Sequence, residues 1–199
     1  MKIKSKNNEI VLNSKEINAT FVLKSIEDLI NNESDHFSHL IIDEIEVYDK
    51  FDKHIKENIE LIEEISIIFK TEVEFIKEIF NTIISYFERS IPEISSLSEN
   101  FYSTPSKNDW VKLSQLFEGF QYIVNSFKTI DSSKKLNKVN LNYESWLAYS
   151  KEILKLNDFI KEIDEALNNQ DYILIGDILN YEITSIFEDL KKIISKLFD

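Results

Sequence analysis

Three histidines are the side chains best suited to acid–base or metal chemistry, and all lie in the first part of the chain: His36, His39 and His54. Glu33 and His36 have the Glu-x-x-His spacing of a di-iron carboxylate site. Such a site needs this motif on two helices together with two further glutamates, and the sequence contains one copy. On a strand, His36 and His39 would point to opposite faces. We therefore expect surface histidines, with no catalytic residues and no metal ligands.

The chain also lacks the residues that many cofactor and redox sites require. Its 199 residues include no cysteine, which excludes disulfides, Cys-ligated zinc and Cys-ligated iron–sulfur clusters. With two glycines, it contains no Gly-rich phosphate loop. A catalytic alternative would require His54 to meet a carboxylate such as Asp49, and no nucleophile elbow or cofactor fingerprint is present. We predict no cofactor and no enzymatic activity, with a metal-dependent enzyme as the most remote alternative.

Acidic residues form the most prominent charged segment. The formal net charge is −13, and nine acids face three lysines between Asp43 and Glu64. This segment is either a docking face for a basic partner or a solvated edge that keeps sheets from pairing. The densest basic stretch, residues 132–138, is short, so we expect no nucleic-acid binding. The candidate interaction residues in the acidic segment are Asp43, Glu44, Asp49, Glu57, Glu60 and Glu63.

One arginine and two tyrosines complete the candidate residues. Arg89 is the sole arginine beside 22 lysines. It lies between Glu88 and Pro92, with Glu93 four residues further on. Its planar guanidinium can clamp the kinked turn, bind an anionic group, or form an ordinary surface pair. Tyr102 and Tyr122 lie off the apolar stripes of their helices, which makes them candidates for exposed contacts. The neighbouring aromatic residues are expected to pack in a core.

The elements that must position these residues begin with short strands. Alternating apolar residues predict them, and the pair Asp43-Glu44 stands at a predicted turn. A helix with Thr20 as its cap is expected between the first two hairpins. The resulting order of hairpin, helix, hairpin, short helix and strand is that of a ubiquitin-like β-grasp domain over residues 1–70. The predicted strands are "MKIKS", "EIVLN", 37–42, 45–48 and 64–70.

From Thr71, a predicted N-cap, the apolar spacing changes to three and four residues, which predicts helices. Pro92 predicts a kink or break near 88–92, and Gly119 inside a helix indicates a close helix–helix approach. Short connections make neighbouring helices antiparallel. We therefore predict an α+β fold, mostly α, in which a small β-grasp-like head precedes an antiparallel four-helix bundle over residues 71–199. The predicted helices span residues 71–102, 107–130, 142–168 and 171–198.

Several segments resemble a family of uncharacterised bacterial proteins. They are "FSHLIIDEIEVYD", "FKTEVEFI", "YFERSIPEI", "FYSTP" and the run from Trp110 to Ile123. The resemblance covers roughly residues 37–130 and implies no activity and no site residue. The family often has Asp-Gly where this chain has Asp43-Glu44, a pair less suited to a turn with positive φ.

These patterns favour a non-catalytic protein–protein interaction or adaptor module, whose partner is another protein or a second copy of the chain. The alternative, by analogy with small acidic export chaperones, is a helical bundle that shields an amphipathic helix of an exported partner. A continuous apolar groove between helices would favour the chaperone, and a closed bundle would favour the adaptor. No apolar run approaches the ~18–20 residues of a membrane span, and the N-terminus lacks a signal peptide's apolar region, so we expect a cytoplasmic protein.

Overall fold

The computed structural model is an α+β fold, mostly helical, and it describes residues 1–13, 17–133 and 139–198. The chain divides into two compact units, Met1–Phe75 and Ile76–Asp199. Residues 134–138 of the basic stretch lie outside the described residues. None of the helices in the described segments combines the length and the apolar character that crossing a membrane requires.

The first unit contains a five-stranded mixed sheet and two helices. The sheet has the order β2-β1-β5-β3-β4, in which β1 and β5 are parallel and the other neighbours are antiparallel. Its strands are β1 (Lys2–Lys4), β2 (Glu9–Val11), β3 (His36–Ile42), β4 (Ile45–Val47) and β5 (Glu64–Lys70). Its helices are α1 (Ala19–Asn32) and α2 (Phe51–Asn58).

Strand alternation and helix periodicity direct one apolar set of side chains into the core of this unit. The buried members are Ile3, Leu12, Val22, Ile26, Leu29, Leu40, Ile42, Ile55, Ile62, Ile65 and Ile67. Helix α1 is capped by Asn18, whose side-chain oxygen accepts a 2.9 Å hydrogen bond from the amide of Phe21. The predicted cap at Thr20 is therefore wrong, because Asn18 lies at the start of the helix and Thr20 lies inside its first turn.

The other helices follow the change of apolar period, and three of them, α3 to α5, have 25 to 30 residues. They are α3 (Glu72–Phe101), α4 (Lys107–Asp131), α5 (Tyr143–Asn168), α6 (Tyr172–Asp177) and α7 (Thr184–Ile194), with a π-helical segment, Ile178–Ile183, between the last two. The predicted N-cap at Thr71 is confirmed. Its hydroxyl accepts from the Glu74 amide at 3.3 Å, and the Glu74 carboxylate accepts from the Thr71 amide at 2.8 Å.

Helix α3 continues through Pro92 as one element, so the predicted break near 88–92 is not seen. Proline lacks an amide donor, and the Glu88 carbonyl therefore has no partner four residues further on.

The helices bury an aromatic core, in which Phe187 lies 4.4 Å from Phe87 and 5.8 Å from Phe120 between ring centroids. A Cβ on Gly119 would overlap the hydroxyl of Tyr86, so this glycine leaves room on α4 for a tyrosine side chain of α3.

Candidate functional site

The acidic segment forms a cleft at the start of β5, on the first unit. The cleft has a volume of about 520 Å³. Leu61 lies at its edge with 77% of its surface exposed. The structure thus brings together three of the predicted residues, Asp43, Glu44 and Glu63, and adds Glu64 and Leu61. The complete lining is Ile41, Asp43, Glu44, Leu61, Glu63, Glu64 and Ser66.

Asp43 holds the two sides of this cleft together. Its carboxylate accepts hydrogen bonds from the amides of Glu63 and Glu64 at 3.1 and 2.8 Å, and its own amide donates to the Glu64 carbonyl at 3.0 Å. Asp43 and Glu44 have φ values of 46° and 70°, so the turn has positive φ at both central residues without the glycine that such turns prefer. The Asp43 side chain is therefore a structural group of the turn.

Two other carboxylates of the cleft remain available to a ligand. Glu44 and Glu63 are exposed and form no ion pair within the described residues. Glu64 is the exception, because its carboxylate lies 2.6 Å from the Lys4 amine. The cleft consequently combines free negative charge with an exposed leucine.

The remaining predicted acids do not line the cleft. Glu57 lies on α2 and pairs with Lys53 four residues earlier at 3.8 Å. Asp49 precedes α2 and Glu60 follows it, and both are exposed. They extend the negative surface of the first unit without entering its cleft.

Arg89 lines a groove between α3 and α4 in the second unit. The guanidinium Nε donates to the Ser85 carbonyl at 3.1 Å, and Arg89 forms no ion pair within the described segments. Glu93, four residues further on, pairs with Lys112 on α4 at 2.8 Å, which lowers the pKa of Glu93. Within the described segments, Arg89 therefore has no carboxylate partner, and its observed hydrogen bond is to the carbonyl of the preceding turn.

The two predicted tyrosines are both partly exposed, at 42% for Tyr102 and 44% for Tyr122. The Tyr102 hydroxyl donates to the Asp177 carboxylate at 2.8 Å, and this hydrogen bond raises the pKa of Tyr102 to about 12. The Tyr102 ring also lies against Gly176. Tyr102 thus ties the end of α3 to α6, whereas Tyr122 has no hydrogen bond of this kind within the described residues.

Within the described parts of the chain, no group of three or more His, Asp or Glu side chains is arranged to hold a metal ion. His36 lies 2.7 Å from the Glu72 carboxylate and stacks on Phe75 at 4.1 Å. His39 is only 8% exposed, so its predicted surface position is wrong. A bulge in β3 between Phe37 and His39 interrupts the alternation on which that prediction rested.

A family model described as a domain of unknown function (DUF8042) matches residues 78–193, more than half of the chain. The chain belongs to the DUF8042 family. The prediction of a family with no established activity is confirmed, although the predicted resemblance covered residues 37–130. No curated protein and no solved structure matches this DUF8042 protein. The groove beside Arg89 lies within the matched residues, and the acidic cleft lies before them.

The sequence patterns did not predict the groove, nor four residues of the cleft, namely Ile41, Leu61, Glu64 and Ser66. Leu61 and Glu64 join the cleft because β5 pairs with β3, with Ile65 opposite Ile42. Glu64 belongs to the acidic segment, but nothing in the neighbouring sequence distinguishes it from the acids on α2. The groove depends on the packing of α4 against α3, which a helical stripe alone does not specify.

Proposed function

We propose that this DUF8042 protein is a non-catalytic protein–protein interaction module whose acidic cleft docks a basic segment of a partner protein. The observation that carries the proposal is the grouping of Glu44 and Glu63 beside the exposed Leu61. A partner segment with Lys or Arg next to an apolar side chain would complement this surface. Its cations would meet the free carboxylates, and its apolar side chain would cover the leucine.

The overall charge supports the same class of partner. A formal net charge of −13 attracts cationic segments over a distance set by ionic strength. At physiological salt this distance is about 8 Å, so rim carboxylates act mainly on the rate of encounter. The acids on and after α2, Glu57 and Glu60, would add to the attraction without contacting the bound segment.

The test begins with affinity chromatography on the immobilised full chain at low salt. Proteins retained by the native chain and lost on a Glu44→Gln/Glu63→Gln chain are the candidate partners. Their binding kinetics are then measured at two salt concentrations. We expect the double substitution to lower the association rate more than it raises the dissociation rate, and to reduce the salt dependence.

A matched control removes the same charge from the second unit. Glu118→Gln/Glu162→Gln replaces two exposed helical carboxylates and should leave the association rate close to that of the native chain. A further pair, Glu57→Gln/Glu60→Gln, should have an intermediate effect. Equal rates for the native chain and the cleft variant would refute docking at the cleft.

A chaperone that shields an amphipathic helix of an exported partner is the second candidate. Tyr143, Leu147 and Leu154 are exposed on α5. Successive residues of an α-helix are rotated by about 100° about its axis, so these three side chains lie within roughly 40° of one another around the helix. They therefore form one apolar stripe along it. If this stripe receives a helix, Leu147→Ser/Leu154→Ser should abolish binding of the partner, whereas substitutions in the acidic cleft should not.

We also propose two finer features of the fold. The order β2-β1-β5-β3-β4, with α1 between two hairpins, supports a β-grasp-like head. The succession of α3, α4, α5 and the α6–α7 stretch supports an antiparallel four-helix bundle. A division into domains of residues 1–70 and 71–199 belongs to this proposal. Expression of residues 71–199 alone tests it, and a fragment without cooperative helical unfolding would contradict it.

We further propose a cytoplasmic bacterial protein without enzymatic activity. The proposal rests on the absence of cysteine, of cofactor motifs and of an apolar membrane-spanning run in the sequence. Fractionation of the native host with an antibody against the chain tests the location. Recovery of the protein outside the cytoplasm would refute it.

A further inference from the structure

The groove between α3 and α4 has an apolar floor and a polar rim. Its volume is about 320 Å³, which falls within the usual range of small-molecule sites. Ile94, Leu97 and Leu116 are buried and form the floor. The rest of the lining is Tyr86, Arg89, Ser90, Glu93, Lys112 and Gln115.

One positive charge at the rim has no carboxylate partner within the described residues. The two acids nearest to Arg89 in sequence are engaged elsewhere, since Glu88 pairs with Lys191 at 3.3 Å and Glu93 pairs with Lys112 at 2.8 Å. The Nε of Arg89 donates to a backbone carbonyl, which leaves its two terminal amino groups for a ligand. Arg89 is the sole arginine of the chain.

Tyr86 supplies a second donor to the same groove. Its ring is fixed between neighbours, because it packs on Phe187 at 5.9 Å and lies against Gly119 on α4. Its hydroxyl makes no hydrogen bond within the described residues. Tyr86 and Arg89 lie three residues apart on α3, nearly one helical turn, and both line the groove. Two donors at the rim and an apolar floor match a molecule with an anionic head and a hydrocarbon body.

We propose that the groove binds a small aliphatic carboxylate, with the carboxylate held by the Arg89 guanidinium and the Tyr86 hydroxyl. The hydrocarbon chain would lie along Ile94, Leu97 and Leu116. A planar guanidinium forms two parallel hydrogen bonds to a carboxylate, which lysine cannot reproduce. With about 30 Å³ for each water-sized group, the groove has room for about ten such groups, which is the size of octanoate.

The test is calorimetric titration of the full chain with octanoate and with octanol, its uncharged analogue, below micellar concentrations. We expect one octanoate to bind per chain, with an affinity at least about tenfold above that of octanol. Arg89→Gln should weaken octanoate about tenfold or more and leave octanol unchanged. Tyr86→Phe should weaken octanoate about fivefold, because it removes one neutral donor.

Two further variants control for charge and for the groove itself. Lys128→Gln removes a positive charge from an exposed position of α4 outside the groove, and it should bind octanoate like the native chain. Ser90→Leu fills the groove and should abolish binding of both ligands while the thermal transition is retained. The proposal is overturned if octanoate does not saturate, if octanol binds equally well, or if Arg89→Gln binds octanoate like the native chain.

Discussion

The ring of Tyr86 on α3 occupies the space that a side chain at residue 119 of α4 would need. A Cβ built on Gly119 would overlap both the hydroxyl and the adjoining ring carbon of Tyr86. The ring is also in contact with Phe87 and Phe187, at centroid distances of 6.3 and 5.9 Å. The packing of the Tyr86 ring against α4 therefore depends on the absence of a side chain at residue 119.

Gly119→Ala should destabilise the protein although alanine favours helices. The helix propensity gained is about 1 kcal/mol, whereas forcing extra volume into a packed site costs about 1–3 kcal/mol. We expect a net loss of about 1 kcal/mol, measured by urea denaturation. In a Tyr86→Leu background the overlap disappears, and the same substitution should become neutral or stabilising. An equal effect in both backgrounds would contradict the contact.

Gln170→Gly should stabilise the protein. Gln170 follows α5 with φ of 57°, and the amides of Gln170 and Asp171 donate to the carbonyls of Leu167 and Ala166 at 3.1 and 2.9 Å. This is a Schellman motif, in which the residue with positive φ is usually glycine. We expect a gain of about 1 kcal/mol in thermal or urea denaturation. The neighbouring Asn169→Gly is the control, and it should give no gain because Asn169 has φ of −89°.

Asp43→Ala should destabilise the first unit, because it removes the acceptor for the amides of Glu63 and Glu64. We expect a loss of about 1 kcal/mol, the usual net contribution of such hydrogen bonds. Asp43→Asn keeps an acceptor oxygen and tolerates the positive φ of 46°, so it should be close to neutral. If both variants are neutral by denaturation, the carboxylate does not support the turn.

Stability should fall as pH rises between about 10 and 12. Burial raises the pKa of Tyr86 from 10.0 to about 12, so the folded state keeps a proton that the unfolded state has released. When the pKa of a group is higher in the folded than in the unfolded state, its contribution to stability is full at pH values below the unfolded pKa. That contribution decreases as the pH rises to the folded pKa. Urea midpoints measured across this range should decline. The decline should be shallower in Tyr86→Phe, and an identical slope would contradict the assignment.

The sequence by itself determined the elements and several of their ends. The apolar period separates strands from helices because each period depends on neighbouring residues alone. The Thr71–Glu74 capping box was equally local, since both partners lie within one turn. The predicted N-cap of α1 was wrong because Asn18 and Thr20 are both good N-cap residues, and the neighbouring sequence does not distinguish between them. The predicted position of His39 was wrong because a bulge shifts the alternation.

Only the tertiary structure decided which of these residues meet. The acidic cleft exists because β3 pairs with β5, which carries Glu63 and Glu64 to the Asp43 turn twenty or so residues away. Arg89 has no carboxylate partner among the described residues, because Glu93, four residues further on, pairs with Lys112 of α4 and Glu88 pairs with Lys191. Strand pairing and helix packing minimise the free energy of the whole chain, so the partner of a side chain is set by distant segments that no local period encodes.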